Sequence, residues 1–170
     1  YWIPYLFLPA GLGIIEPNKT KIIEVTSGSS GISLSMACEK LGYDLTMIIP
    51  EMLPKGRFQP MLDAGTRLIK VDGYIDNCVS VLQAQLKDSD FFAANHSEEK
   101  SNLITYIFSR IAYEYLKTNS SPDLAILGMG NGTSTEAVAR TFKTKDSNTK
   151  IYAYYPSFDS KQTVLGLLAP

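Results

Sequence analysis

Hydrophobic positions along the chain fall into short β-branched runs alternating with longer stretches of helical period. Lys21-Ile22-Ile23-Glu24-Val25 reads as a strand, and the turn-forming cluster Thr26-Ser27-Gly28-Ser29-Ser30-Gly31 follows it. Residues 32–41 then read as a helix: Ile32, Leu34, Met36, Ala37 and Leu41 form its apolar side, Glu39 and Lys40 are left to solvent, and Gly42 is a C-terminal stop. The alternation continues with strands over 45–49, 67–71, 91–94, 124–127 and 151–155, and helices over 57–64, 75–87, 102–117 and 133–142. Strands alternating with helices predict βαβ units, hence an α/β fold with mostly parallel sheets and helices on both faces.

The first fifteen residues break this rhythm. Tyr1 to Ile15 is almost free of charge and carries Pro4, Pro9, Gly11 and Gly13. It is too short and too interrupted for a membrane span and has no basic flank of the kind a signal peptide needs. The expectation is a buried segment whose partner surface lies upstream, and a chain cut from something longer. Tyr1, Trp2, Tyr5 and Phe7 are expected in core or dimer contacts.

Composition narrows the classes. Among 170 residues, 45% are hydrophobic and 19% charged, and sixteen Lys and Arg face seventeen Asp and Glu for a net charge of −1. That excludes a disordered tail and a polybasic nucleic-acid binder. Two cysteines, Cys38 and Cys78, with one histidine and no CxxC, argue against a disulfide scaffold or a zinc site, so no metal is expected. Cys38, on the apolar side of its helix, reads as an inert small hydrophobe. His96, beside Glu98 and Glu99, reads as a solvated loop histidine, and Lys143, Lys145, Asp146 and Lys150 as a solvated helix end.

Ligands of open α/β sheets collect at the carboxyl ends of strands, where loops enter helix N-termini. Two loops here suit an anion. Thr26 to Gly31 offers small side chains and backbone N–H groups; Gly128 to Thr135 offers three glycines and the hydroxyls of Thr133, Ser134 and Thr135. Two such loops in one chain point to a phosphate or carboxylate ligand. Neither matches the P-loop or the dinucleotide fingerprint.

These residues also resemble a known family. Glu24-Val25-Thr26-Ser27-Gly28-Ser29-Ser30-Gly31-Ile32-Ser33-Leu34, then Gly42-Tyr43-Asp44-Leu45-Thr46-Met47-Ile48-Ile49-Pro50-Glu51, are similar to the EPTSGNTGIAL and GYxLTxxMPE signatures of cysteine synthases. Leu62-Asp63-Ala64-Gly65-Thr66-Arg67-Leu68 resembles LxALGAxL; Gly128-Met129-Gly130-Asn131-Gly132-Thr133-Ser134-Thr135 resembles the GVGTGGTL phosphate cup; Ala153-Tyr154-Tyr155-Pro156 resembles the VEP that closes the next strand. The chain is thus similar to the middle of the catalytic domain of fold type II pyridoxal-phosphate enzymes, the group of cysteine synthase and cystathionine β-synthase, whose fold is like the tryptophan synthase β-subunit.

The resemblance implies roles. Thr26, Ser27, Gly28 and Ser30, with Asn95 in place of the family's glutamine, would bind the substrate α-carboxylate. Ser29, standing where the family has asparagine, would face the cofactor's 3′-oxygen. Gly130, Asn131, Gly132, Thr133 and Ser134 would surround the cofactor phosphate, with Thr133 in place of a glycine. It implies a smaller lobe over 13–118 carrying the carboxylate loop, part of the larger cofactor lobe over 119–170 carrying the cup, and a preceding segment 1–12 partly from the larger lobe. The Schiff-base lysine would fall just before Tyr1, since Lys19, Lys21, Lys40, Lys55 and Lys70 do not occupy its place, and the residue meeting the pyridine nitrogen would lie beyond Pro170. No catalytic residue is therefore expected within the chain, which as written would be inactive and would bind no cofactor covalently.

Two expectations follow. The first is a piece of a pyridoxal-phosphate transferase or lyase acting on an activated serine: α-proton removal, loss of the β-substituent, then addition of a thiol nucleophile. The second is a degenerate, non-catalytic relative that binds a ligand or partner. For the first, the resemblance implies an amino-acid substrate, cysteine biosynthesis, a cytoplasmic homodimer, and no nucleic acid or membrane.

Overall fold

A computed structural model of the chain describes residues 2–88, 90–94, 102–130 and 132–154. It contains six helices and six strands among those residues: α1 (Trp2–Gly11), β1 (Lys21–Val25), α2 (Ser29–Leu41), β2 (Asp44–Pro50), α3 (Lys55–Asp63), β3 (Arg67–Val71), α4 (Ile75–Asp88), β4 (Phe91–Ala93), α5 (Asn102–Leu116), β5 (Leu124–Gly128), α6 (Thr133–Lys145) and β6 (Lys150–Tyr154). The strict alternation after α1 is the βαβ pattern that the hydrophobic periodicity predicts.

The described residues divide into two compact units, one within 2–94 and one within 102–154. The first is built on a four-stranded sheet in the order β3-β2-β1-β4, with every neighbouring pair parallel. β1 and β2 are buried on both faces except at their first residues, as the continuous runs Ile22-Ile23-Glu24-Val25 and Leu45 to Pro50 require of central parallel strands. One core cluster joins Ile23, Val25 and Ile48 of the sheet to Cys78 and Leu82 of α4. On α2, Gly31, Leu34, Ser35, Ala37 and Cys38 are buried. Met36 is 60% exposed, so the apolar side of this helix is narrower than its composition suggests.

The second unit packs α5 and α6 on the two-stranded parallel sheet of β5 and β6. Ala112, Ala125, Val138 and Phe142 form its buried core, with Leu116, Leu127 and Ile151 against it. Tyr115 meets Phe142 edge to face at 5.7 Å. α5 contributes Ala112 and Leu116 to this core.

The segment before β1 is buried at Tyr5 and Leu6, as expected of part of it. It is a helix packed within the first unit, with Tyr5 and Leu6 buried against it and the Tyr5 hydroxyl donating to the Ala94 carbonyl at 2.7 Å. Phe7, Leu8, Leu12 and Ile14 are exposed. No helix among the described residues is long and apolar enough to cross a membrane.

Candidate functional site

In the first unit the strand order reverses between β1 and β4, since β2 and β3 extend the sheet on one side of β1 and β4 lies on the other. Such a reversal opens a crevice at the carboxyl ends of the two strands. The Thr26–Gly31 loop leaves β1 there. Thr26 is buried, and its N–H donates to Ile48 O at 3.1 Å, extending the β1–β2 ladder by one bond.

The loop is folded around the Thr26 side chain. Thr26 Oγ1 accepts the N–H of Gly28 at 3.2 Å and the N–H of Gly31 at 3.1 Å. The Gly31 and Ile32 amides also donate to Gly28 O, at 3.0 and 3.4 Å, so Gly28 caps a helix that begins at Ser29, three residues before the predicted start at Ile32. A turn-forming composition hid this first helical turn. Gly28 is extended, with no side-chain cap, and the first turn of α2 holds no acidic residue. Ser27 and Ser29 are exposed and Ser30 is half-buried, so the hydroxyls assigned to ligand binding stand at the rim of the loop and that of Thr26 is turned into it. Asn95, the remaining residue of the expected carboxylate set, lies outside the described residues, as does His96.

In the second unit the Gly128–Thr135 loop leaves β5 and opens α6. Met129 N–H donates to Tyr154 O at 2.9 Å, and the Thr135 hydroxyl donates to Gly128 O at 2.9 Å, tying the first turn of α6 back to the end of β5. Gly132 caps α6 at φ 87°, a left-handed conformation that suits glycine, and Glu136 N–H closes on Gly132 O at 2.8 Å. Among the described residues no side-chain cap hydrogen bond closes this N-terminus. Backbone amides of a first helical turn have no intrahelical acceptor, and the dipole adds positive potential, so the turn favours an oxyanion. A Cβ on Gly130 or Gly132 would meet nothing within 4 Å, which leaves room beside both. Thr133 and Ser134 are half-buried at the opening of the helix. Tyr154 lies across Gly128, its Oη 3.1 Å from where a Cβ there would stand. Asn131 and Tyr155 lie outside the described residues.

These observations fit a phosphate ester at Gly130–Ser134: an uncapped helix start, a left-handed glycine and open space beside the backbone. No group of three or more metal-ligating side chains occurs among the described residues. Both cysteines are buried; desolvation pushes the Cys38 thiol up to about 12 and Cys78 to about 11, so neither is a nucleophile near neutral pH. The guanidinium of Arg57, on α3, lies beside Gly28, a residue the motif patterns give no reason to single out.

Comparison with known proteins identifies the family and the fold. The family model described as pyridoxal-phosphate dependent enzyme matches residues 9–164. The chain is 28% identical over 144 residues to cysteine synthase B of Campylobacter jejuni, covering 81% of this chain and 47% of that protein. It is 26% identical over 143 residues to a cysteine synthase of Dictyostelium discoideum, covering 80% and 37%. Among solved structures, a hydrogen sulfide-producing enzyme of Fusobacterium nucleatum superposes with a TM-score of 0.81 at 30% identity, over 91% of this chain and 53% of that one. The chain therefore spans about half, or less, of the relatives it matches.

Proposed function

The chain belongs to the pyridoxal-phosphate dependent enzymes, and from that premise we propose that it forms part of a cysteine synthase-like enzyme that replaces the β-substituent of an activated serine. The family's cofactor is pyridoxal phosphate, which when bound supplies an electron sink for charge developing at the substrate α-carbon. Gly130, Asn131, Gly132, Thr133 and Ser134 hold the cofactor phosphate in this reading, through first-turn amides and hydroxyls of α6. The observation that carries it is the uncapped α6 N-terminus behind the left-handed Gly132.

The Thr26–Ser30 loop takes the substrate α-carboxylate. Thr26 shapes it by holding the Gly28 and Gly31 amides, while Ser27 and Ser30, with Asn95, supply donors at the rim. Ser29 faces the cofactor's 3′-oxygen. Its side chain is shorter than the asparagine of the cysteine synthase signature, so this contact is longer or bridged by water. None of Lys19, Lys21, Lys40, Lys55 or Lys70 occupies the place of the family's Schiff-base lysine, which would also move the α-proton. The working protein is a cytoplasmic homodimer acting on a small amino acid.

The test is product formation. The full-length protein, reconstituted with pyridoxal phosphate and given O-acetyl-L-serine and sulfide, is expected to form cysteine. A protein that binds pyridoxal phosphate yet turns over neither this donor nor other activated serines would be the non-catalytic relative instead.

A further inference from the structure

The loop assigned to the substrate carboxylate, Thr26-Ser27-Gly28-Ser29-Ser30-Gly31, contains no charged residue. Only neutral hydroxyl and amide donors stand there, and two of its amides, those of Gly28 and Gly31, are already committed to Thr26 Oγ1. A positive charge reaches it from another element. Arg57 rises from the first turns of α3, which packs on α2, and a Cβ placed on Gly28 would stand 2.7 Å from Arg57 Nη1. The guanidinium occupies space that any side chain at position 28 would take.

This placement is not explained by pairing among the described residues. Arg57 donates its backbone amide to Pro54 O, and its guanidinium makes no hydrogen bond or ion pair among the described residues. Asp63, the acid on α3, accepts instead from Gln59 at 2.8 Å. Gly28 itself does not need to be glycine for its backbone angles, since φ 179° is open to any residue. What the missing side chain provides is the approach of Arg57.

Resting on the function proposed above, we infer that Arg57 is a specificity-determining residue: it supplies the counter-charge by which the Thr26–Ser30 loop selects an amino acid bearing a free α-carboxylate. Arg suits the task because its planar fork donates two parallel hydrogen bonds to one carboxylate.

The experiment titrates the full-length, pyridoxal-phosphate-loaded protein with L-serine and with L-serinamide, whose carboxylate is replaced by an uncharged amide, following the cofactor's absorbance. Arg57→Gln is expected to raise the L-serine midpoint roughly tenfold, the loss of one charge-assisted contact. Its L-serinamide midpoint stays within about twofold, and Arg57→Lys recovers part of the loss. Gly28→Ala pushes aside only the far end of a flexible side chain, so it should weaken L-serine in the same direction, and the double variant should be no weaker than Arg57→Gln alone. A wild-type midpoint for L-serine in Arg57→Gln, or equal weakening of both ligands, overturns the assignment. A wild-type protein that loads the cofactor but responds to neither ligand overturns the parent reading, and this one with it.

Discussion

Thr26 and Gly31 are locked together: the Thr26 hydroxyl accepts the Gly31 amide at 3.1 Å, and the missing side chain of Gly31 is what lets the threonine lie there. A Cβ on Gly31 would run into the Thr26 methyl group and stand 2.9 Å from both Thr26 Oγ1 and Met61 Cε. Gly31→Ala should therefore cost about 1–3 kcal/mol by overpacking, read as a lowered urea midpoint. It should also weaken amino-acid binding, because the loop cannot keep its shape.

Thr26→Val separates the hydroxyl from the volume. The two side chains are nearly isosteric, but the variant takes the hydroxyl acceptor from the buried Gly28 amide and leaves the Gly31 amide only its bond to Gly28 O. A cost of about 1–3 kcal/mol is expected, together with loss of amino-acid response and little change in affinity for pyridoxal phosphate. Equilibrium unfolding and cofactor titration of one sample check both halves. An unchanged amino-acid response would show that the hydroxyl does not shape the loop.

The corresponding hydroxyl in the second unit belongs to Thr135, which donates to Gly128 O and is buried. Thr135→Val should lower affinity for pyridoxal phosphate and for inorganic phosphate in parallel, by roughly three- to tenfold for the loss of one ordinary hydrogen bond that positions the loop. Competition between the two anions measures it.

The cysteines set an alkaline limit. Both thiols titrate higher in the folded protein, about 12 for Cys38 and about 11 for Cys78, than the ordinary thiol value of 9.0, because burial disfavours the thiolate. The unfolded chain then binds fewer protons than the native one above pH 9, so stability is full below that pH and falls as pH rises toward 11 to 12. Urea midpoints should decline between pH 8.5 and 10.5, and less steeply in Cys38→Ala. At pH 8 in native buffer neither thiol should react with a thiol reagent, whereas both react in urea.

Much of this was legible in the sequence, for identifiable reasons. Strands such as Ile22–Val25 and Leu45–Ile49 are apolar runs interrupted only by the buried Glu24 and Thr46, because a parallel sheet buries both faces, and they stand where the pattern puts them. The two candidate loops stood out because two strand–helix turns rich in glycine and hydroxyl residues occur in one chain. Helix α1 was hidden by its prolines: Pro4 falls in the first turn, where a missing N–H costs nothing, and Pro9 sits inside and costs a helical bond. The partner of α5 was not legible, since periodicity gives a face but not the core that Ala112 and Leu116 on it join. Arg57 stayed invisible because its relation to Gly28 exists only after α2 and α3 pack.

The central claim, that these loops serve a pyridoxal-phosphate enzyme, is tested most directly by the intact mass of the protein as the cell makes it, after incubation with pyridoxal phosphate and reduction with borohydride. A mass increase of one reduced cofactor per chain is the expected result. A chain that gains no adduct, in the presence of excess cofactor, would contradict the enzyme reading and leave a binding domain on an enzyme's fold.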